Sequence, residues 1–256
     1  MSDLVLWPLD PHTGAKHAIL KLYLDRWFPI LGKYHTRINY IDGFAGPGQY
    51  QGGEKGSPIL AIESAIEHVT RGTLDSKVTI NFIFVESKAD HAAHLRKMLG
   101  ELAIPQQFKV SVIDGHFRDR LGEILDKIEA EKKSLAPTFA FVDPFGFSGI
   151  PMSLMERILK FERCEVFVNI MAEFINRFLE HPNDAITAHF PETFGTSDVL
   201  AIPQQMGNRL DLILNLYRRQ LSQHGKYVGR FDMHGRRDRK TYSLYFATNA
   251  PKGFEK

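Results

Sequence analysis

The stretch from Arg37 to Gly48, RINYIDGFAGPG, constrains this chain more than any other. Ile38 to Ile41 is short and apolar around Asn39, as a buried strand would be. Asp42 follows at the strand's end. Gly43, Gly46 and Gly48 then open a turn that side chains would obstruct. Glycine suits a loop where backbone N–H groups approach a ligand closely or where φ is positive. A strand that ends in an acid, turns on glycines and leads to a helix is the nucleotide-binding corner of an α/β sheet. The turn reads D-G-F-A-G-P-G and lacks the G-x-G-x-x-G of dinucleotide folds, which disfavours a nicotinamide dehydrogenase. A glycine-rich turn without a ligand fits the same letters.

On either side of this corner the chain alternates strands and helices. Lys16 to Leu31 reads as a helix with Ile19, Leu20, Tyr23, Leu24 and Trp27 on one face, ended with the help of Pro29 and Gly32. Lys16 and His17 open its polar face. Gln49 to Gly56 reads as a polar, mobile loop, either a lid or plain surface. Ser57 is expected to cap the next helix, with Pro58 at its first position and Ile59, Ile62, Ile66 and Val69 inward. Val78 to Val85 is the second strand, followed by Glu86 and a helix from Lys88 to Leu99. Phe108 to Ile113 is the third, followed by Asp114 and Gly115. Phe117, Leu121, Ile124, Leu125 and Ile128 make the next amphipathic helix.

Thr138 to Val142 is the fourth strand and runs into Asp143-Pro144-Phe145-Gly146-Phe147-Ser148-Gly149, a carboxylate, a proline-stiffened turn and two aromatics. An ordinary tight turn with its phenylalanines in the core fits as well. Pro151 to Lys160 is a helix and Cys164 to Met171 the fifth strand, with Asn169 and Glu173 at its exit. His181 to Gln205, with three prolines, reads as a loop-rich cap. A helix from Arg209 to Gln223 precedes two closing strands, Lys226 to Met233 and Arg239 to Thr248. Their connection, His234 to Asp238, is a basic tip that with Arg230 and Lys240 is either solvated or holds phosphates.

Over 256 residues, with 43% hydrophobic and 24% charged side chains and no low-complexity linker, this reads as one α/β domain. A net charge of +2 is too small to identify a nucleic-acid partner. A single cysteine, Cys164, excludes an internal disulfide and a multi-cysteine metal site, and no metal is expected. The first ten residues show no signal-peptide pattern, and no apolar run reaches the ~20 residues of a membrane span. A cytoplasmic protein without a membrane partner is expected.

Acid-x-x-x-G-x-G resembles the corner of S-adenosylmethionine (SAM) methyltransferases, matched by Asp42, Gly46 and Gly48. Five strands alternating with helices, then an antiparallel hairpin, resemble the Rossmann-like, seven-stranded class I layout. The resemblance implies SAM along Asp42, Gly43, Phe44, Ala45, Gly46 and Gly48, bordered by His17 and Ser57. Glu86 would hold the ribose hydroxyls, although it follows the glycine turn by more than the usual ~20 residues. Asp114 and Gly115 would meet the adenine. Methyltransferases acting on nucleobase amines carry Asp/Asn-Pro-Pro-aromatic after the fourth strand. Here Asp143 and Pro144 match, Phe145 replaces the second proline, and Phe147 stands one place beyond the aromatic. The stretches WPLDPHTGAKHAIL, YIDGFAGPGQYQGGEKGSP, FVDPFGFSG and INRFL together resemble the three-Cys-motif partner (TcmP) proteins. Members of that family usually continue past the final hairpin, so a C-terminal piece beyond Lys256 is expected. The family implies a radical-SAM-like protein with three cysteines as partner. Two functions stay open: methyl transfer to an amine, such as a nucleobase in RNA or DNA, with Asp143, Pro144, Phe145 and Phe147 as the catalytic set; and a non-catalytic, methyltransferase-like binding module.

Overall fold

Asp10 starts the first helix. Its carboxylate accepts from the His12 N–H at 2.7 Å, and Pro11 takes the first helical position, so α1 spans Pro11–Tyr34. The expected end near Pro29 and Gly32 is therefore corrected, and both residues lie within the helix. A proline inside a helix costs about 3 kcal/mol. Leu24, Trp27 and Phe28, all fully buried beside it, each return roughly 1.5–3 kcal/mol, enough to carry the helix through.

The computed structural model describes residues 6–234 and 240–251. The remaining elements are β1 Arg37–Asp42, α2 Ser57–Thr70, β2 Thr79–Glu86, α3 Ala89–Gly100, β3 Phe108–Asp114, α4 Phe117–Ala130, β4 Thr138–Val142, α5 Met152–Leu159, β5 Cys164–Ile170, α6 Ala172–Phe178, α7 Asp184–Thr187, α8 His189–Phe194, a 3-10 helix Ser197–Gln204, α9 Arg209–Leu221, β6 Tyr227–His234 and β7 Lys240–Thr248. The strands form a seven-stranded sheet in the order β3-β2-β1-β4-β5-β7-β6, with β7 antiparallel to both neighbours. This is the Rossmann-like, mostly parallel seven-stranded sheet with a closing antiparallel hairpin that the sequence led us to expect. The basic tip after His234 lies outside the described residues. Arg230 is engaged nearer home, with its Nε 3.1 Å from Asp232 and an N–H donated to Asn215.

The chain divides into two compact units, and the division passes along β4 and through the first turn of α4. In the first unit β1, β2 and β3 pair in parallel, so that Asp42 lies opposite Phe84 and Glu86 opposite Asp114. Tyr40, Phe82, Phe84 and Phe139 meet Trp27 and Phe28 of α1 in one aromatic core. Asn39, the polar residue inside β1, has a structural purpose. It donates to Thr138 at 3.0 Å and accepts from Asn81 at 2.7 Å. In the second unit α5 buries Leu154, Met155, Ile158 and Leu159, and Cys164 is a buried small side chain. The segment expected to be loop-rich, 181–205, is instead two short helices and the 3-10 helix, because Asn183 and Thr196 supply side-chain caps.

Candidate functional site

The glycine turn is fastened at nearly every step. Asp42, fully buried, accepts from the Phe44 N–H at 3.2 Å. The Ala45 N–H donates to the Val85 carbonyl, and the Gly46 N–H to Glu86 Oε2 at 2.8 Å. His94 donates from Nδ1 to the Pro47 carbonyl at 2.7 Å, which fixes its tautomer. The Gly48 carbonyl accepts from the Gly56 N–H at 2.8 Å.

The three glycines of the turn serve different ends. Gly43 leaves room for the Phe117 ring. Gly48 has φ of +82°, and a β-carbon there would lie 2.8 Å from Leu95. Gly46 has φ of +65°, and a β-carbon there would meet no atom of the described residues within 4 Å. Only Gly46 of the three turns its missing side chain towards open space.

Glu86 is buried, and besides Gly46 it accepts from the Lys88 N–H at 2.8 Å. A carboxylate offers about four acceptor positions, so two such bonds leave capacity for hydroxyl donors. His91 Nδ1 lies 3.9 Å from it. Burial pushes the His91 imidazole below its usual value, against the opposing pull of Glu86 and Asp90. Asp114, in register with Glu86, is exposed, and one oxygen pairs with Arg96 at 2.7 Å. The Gly115 N–H donates to the Glu86 carbonyl at 2.9 Å. The expected acids therefore stand on neighbouring strand ends of the same unit, one buried and one exposed.

The stretch after the turn, expected to be mobile, closes into a small hairpin. Gln49 and Lys55 bridge, and the Tyr50 N–H donates to the Glu54 carbonyl at 2.8 Å. The Gln51 N–H donates to the Trp7 carbonyl at 2.8 Å, so the residues before α1 run alongside. Trp7 stands edge-on to His91 at 5.0 Å with the Lys88 ammonium 5.1 Å from its ring. Lys16 and His17, which open the polar face of α1, are nonetheless buried, with Tyr50 of the hairpin 5.7 Å from the His17 ring. Ser57 is the first helical residue of α2 and does not cap it. The cap is Gly56, where the Gly48 backbone would lie 3.0 Å from a β-carbon, tight enough that a larger residue would have to push it aside. Sequence reasoning passed over Trp7, His91 and His94. The one legible sign was the spacing of the two histidines, which puts them on one face of α3.

The Asp143 turn belongs to the second unit. Asn169 donates from Nδ2 to Asp143 Oδ1 at 2.8 Å. Pro144 is buried. Phe145 is 74% exposed. Phe147 packs 4.7 Å from Phe190 and 5.9 Å from Phe178, and its carbonyl accepts from Thr193 at 2.7 Å. Of the two aromatics considered for stacking, Phe147 anchors the turn and Phe145 is presented.

No protein-family model matches the sequence, and no curated protein matches it. Solved structures do. A Legionella pneumophila protein of the DUF519 family matches with a TM-score of 0.52 at 15% identity, over 92% of this chain and 85% of that one. An O-methyltransferase from Bacillus cereus in complex with S-adenosylhomocysteine (SAH) matches with 0.48 at 15%, over 94% and 82%. Human methyltransferase-like protein 13, also with SAH, matches with 0.46 at 14%, over 94% and 83%. The first of these likenesses shows a shared fold. Among the described residues no helix is long and apolar enough to cross a membrane.

Proposed function

We propose that this chain binds SAM at the Gly46–Glu86 corner and transfers its methyl group to an amine, the exocyclic amine of a nucleobase in RNA or DNA being the acceptor that suits the Asp143 turn. The observation that carries the reading is the open side of Gly46 beside a buried carboxylate with acceptor capacity to spare. The residues present fit the cofactor. The side of Gly46 where a β-carbon would stand is open to a ligand's approach, the Glu86 carboxylate can accept from two ribose hydroxyls, and Arg96 takes only one oxygen of Asp114. When bound, SAM supplies a methyl carbon on a sulfonium sulfur, which passes to the nitrogen lone pair as the C–S bond breaks, leaving SAH and a proton.

The protein's contribution is placement. Glu86 serves twice, fixing the turn through Gly46 and presenting acceptors to the ribose. Asp143 accepts an N–H of the amine and so orients the nitrogen. Phe145 offers a stacking face worth ~1–3 kcal/mol to an unstacked base. Calorimetry with SAM and SAH tests the cofactor half. Wild type binds both, and Gly46→Val, which fills the open side, binds neither. Equal binding by the two proteins, or none by either, contradicts it.

One observation favours a second reading. Because Phe147 is packed away, the turn presents a single aromatic, less than a full nucleobase clamp. In that reading the chain is a methyltransferase-like module that works on a three-Cys, radical-SAM-like partner, as the resemblance to TcmP proteins suggests. Methyl transfer from labelled SAM to RNA or DNA separates the two.

A further inference from the structure

Asn169 lies near the end of β5, a strand buried along its whole length, and is itself 1% exposed. A buried primary amide brings two donors and an acceptor that need partners. Its Nδ2 donates to Asp143, but its Oδ1 is buried with no hydrogen-bond partner among the described residues. Such an orphaned acceptor costs about 1–3 kcal/mol. An aliphatic side chain at this point of an otherwise largely apolar strand would avoid that cost. The amide cannot turn over to relieve it, because Oδ1 would then face a carboxylate.

We propose that Asn169 is a positioning residue, kept at the expense of stability because its Nδ2 locks the Asp143 carboxylate in one orientation. This rests on the reading of Asp143 as the group that receives the amine. Pro144 fixes the backbone on one side of the aspartate through its restricted φ. The charge-assisted bond from Asn169 fixes the carboxylate itself. Asn is the residue that serves here. A leucine of similar size has no donor, and an aspartate would set a second negative charge 2.8 Å away.

The test uses full-length protein, methyl-labelled SAM and a pool of unmodified RNA transcripts and DNA. It compares wild type with Asn169→Leu and Asn169→Asp. Asn169→Leu melts within about 5 °C of wild type, since removal of the orphaned acceptor offsets loss of the bond to Asp143. Its KM for SAM stays within about twofold, while single-turnover transfer falls by about 10²-fold, the loss expected from a misplacement near 1 Å. Asn169→Asp is slow at about pH 8 and recovers towards about pH 5.5, where the two carboxylates share one proton and the bridging bond returns. Wild-type transfer rates in Asn169→Leu overturn the inference. So does a melting drop beyond about 5 °C with no recovery of Asn169→Asp in acid, which makes the pair structural. If wild type yields no product, the methyl-transfer reading fails, and the melting comparison still judges Asn169. A variant within about 5 °C of wild type supports the inference, and one further below overturns it.

Discussion

Gly46 and Gly48 share a positive φ and differ in what surrounds them, which gives their substitutions different signatures. Gly46→Ala adds backbone strain of ~1–2 kcal/mol and no clash. It should lower the melting temperature by a few degrees while reducing SAM affinity. Gly48→Ala adds the same strain and a clash with Leu95, so it should destabilise more, by ~2–4 kcal/mol in all. Thermal melts and calorimetry on the pair check this; equal melting temperatures would contradict it. Glu86→Gln should weaken SAM by ~1–3 kcal/mol, the range for hydrogen bonds to a charged group, and unchanged affinity would remove Glu86 from the site. Phe147→Ala should cost roughly 2–4 kcal/mol of stability through lost packing on Phe190 and Phe178. Phe145→Ala, on an exposed side chain, should change stability by less than about 0.5 kcal/mol and act on substrate alone. Much at this scale was legible. Asp42, Glu86 and Asp114 do end their strands, and the glycines do make the turn. Which glycine faces open space, and which phenylalanine faces solvent, was not. Those answers come from Leu95, Phe117 and Phe190, which are far away in sequence.

At the scale of elements, α1 and α2 show both what periodicity reveals and what it hides. The apolar stripe of each helix was legible. Between them lies a polar cluster that was not: Asp25 accepts from Ser64 at 2.7 Å and from Lys21 at 3.0 Å, with His68 Nε2 3.7 Å away. Burial pushes His68 below its ordinary value, against the pull of Asp25 and Glu67 and with Arg71 and Lys21 adding to the fall. His91 is pushed down in the same way. The unfolded chain therefore takes up protons near pH ~6.5, where these two histidines do not. Their contribution to stability is whole above that value and is lost as pH falls through their lower folded values. Asp25 does not oppose this in the same window. Burial would raise its carboxyl, but the Ser64 and Lys21 bonds outweigh that and hold it below the usual range. The melting temperature should fall between about pH 7.5 and 5.5, and less steeply in His68→Gln. A flat profile in wild type would contradict the assignment. Helix ends were the least legible feature, because burial on both sides of Pro29 overrides the local signal, and the cap of α2 is set by the distant Gly48 backbone.

For the whole molecule, the alternation of strands and helices with a closing hairpin foretold an α/β sheet of seven strands, and the strand order β3-β2-β1-β4-β5-β7-β6 realises it. The order itself leaves no local trace, since parallel neighbours buried on both faces read alike as apolar runs. The division along β4 left none either: after Thr138 the strand runs apolar, FAFV, straight across it. We propose cofactor binding at Gly46 and Glu86 of the first unit, and methyl transfer to an amine held by Asp143 of the second. Single-turnover reaction of the full chain with labelled SAM and a mixed RNA and DNA pool, read by nucleoside mass spectrometry, tests that claim most directly. The account predicts an N-methylated nucleoside from wild type and none from Asp143→Ala, with SAM affinity equal in the two. Full transfer by Asp143→Ala, or no methylated nucleoside from wild type even with a three-Cys partner present, would contradict it.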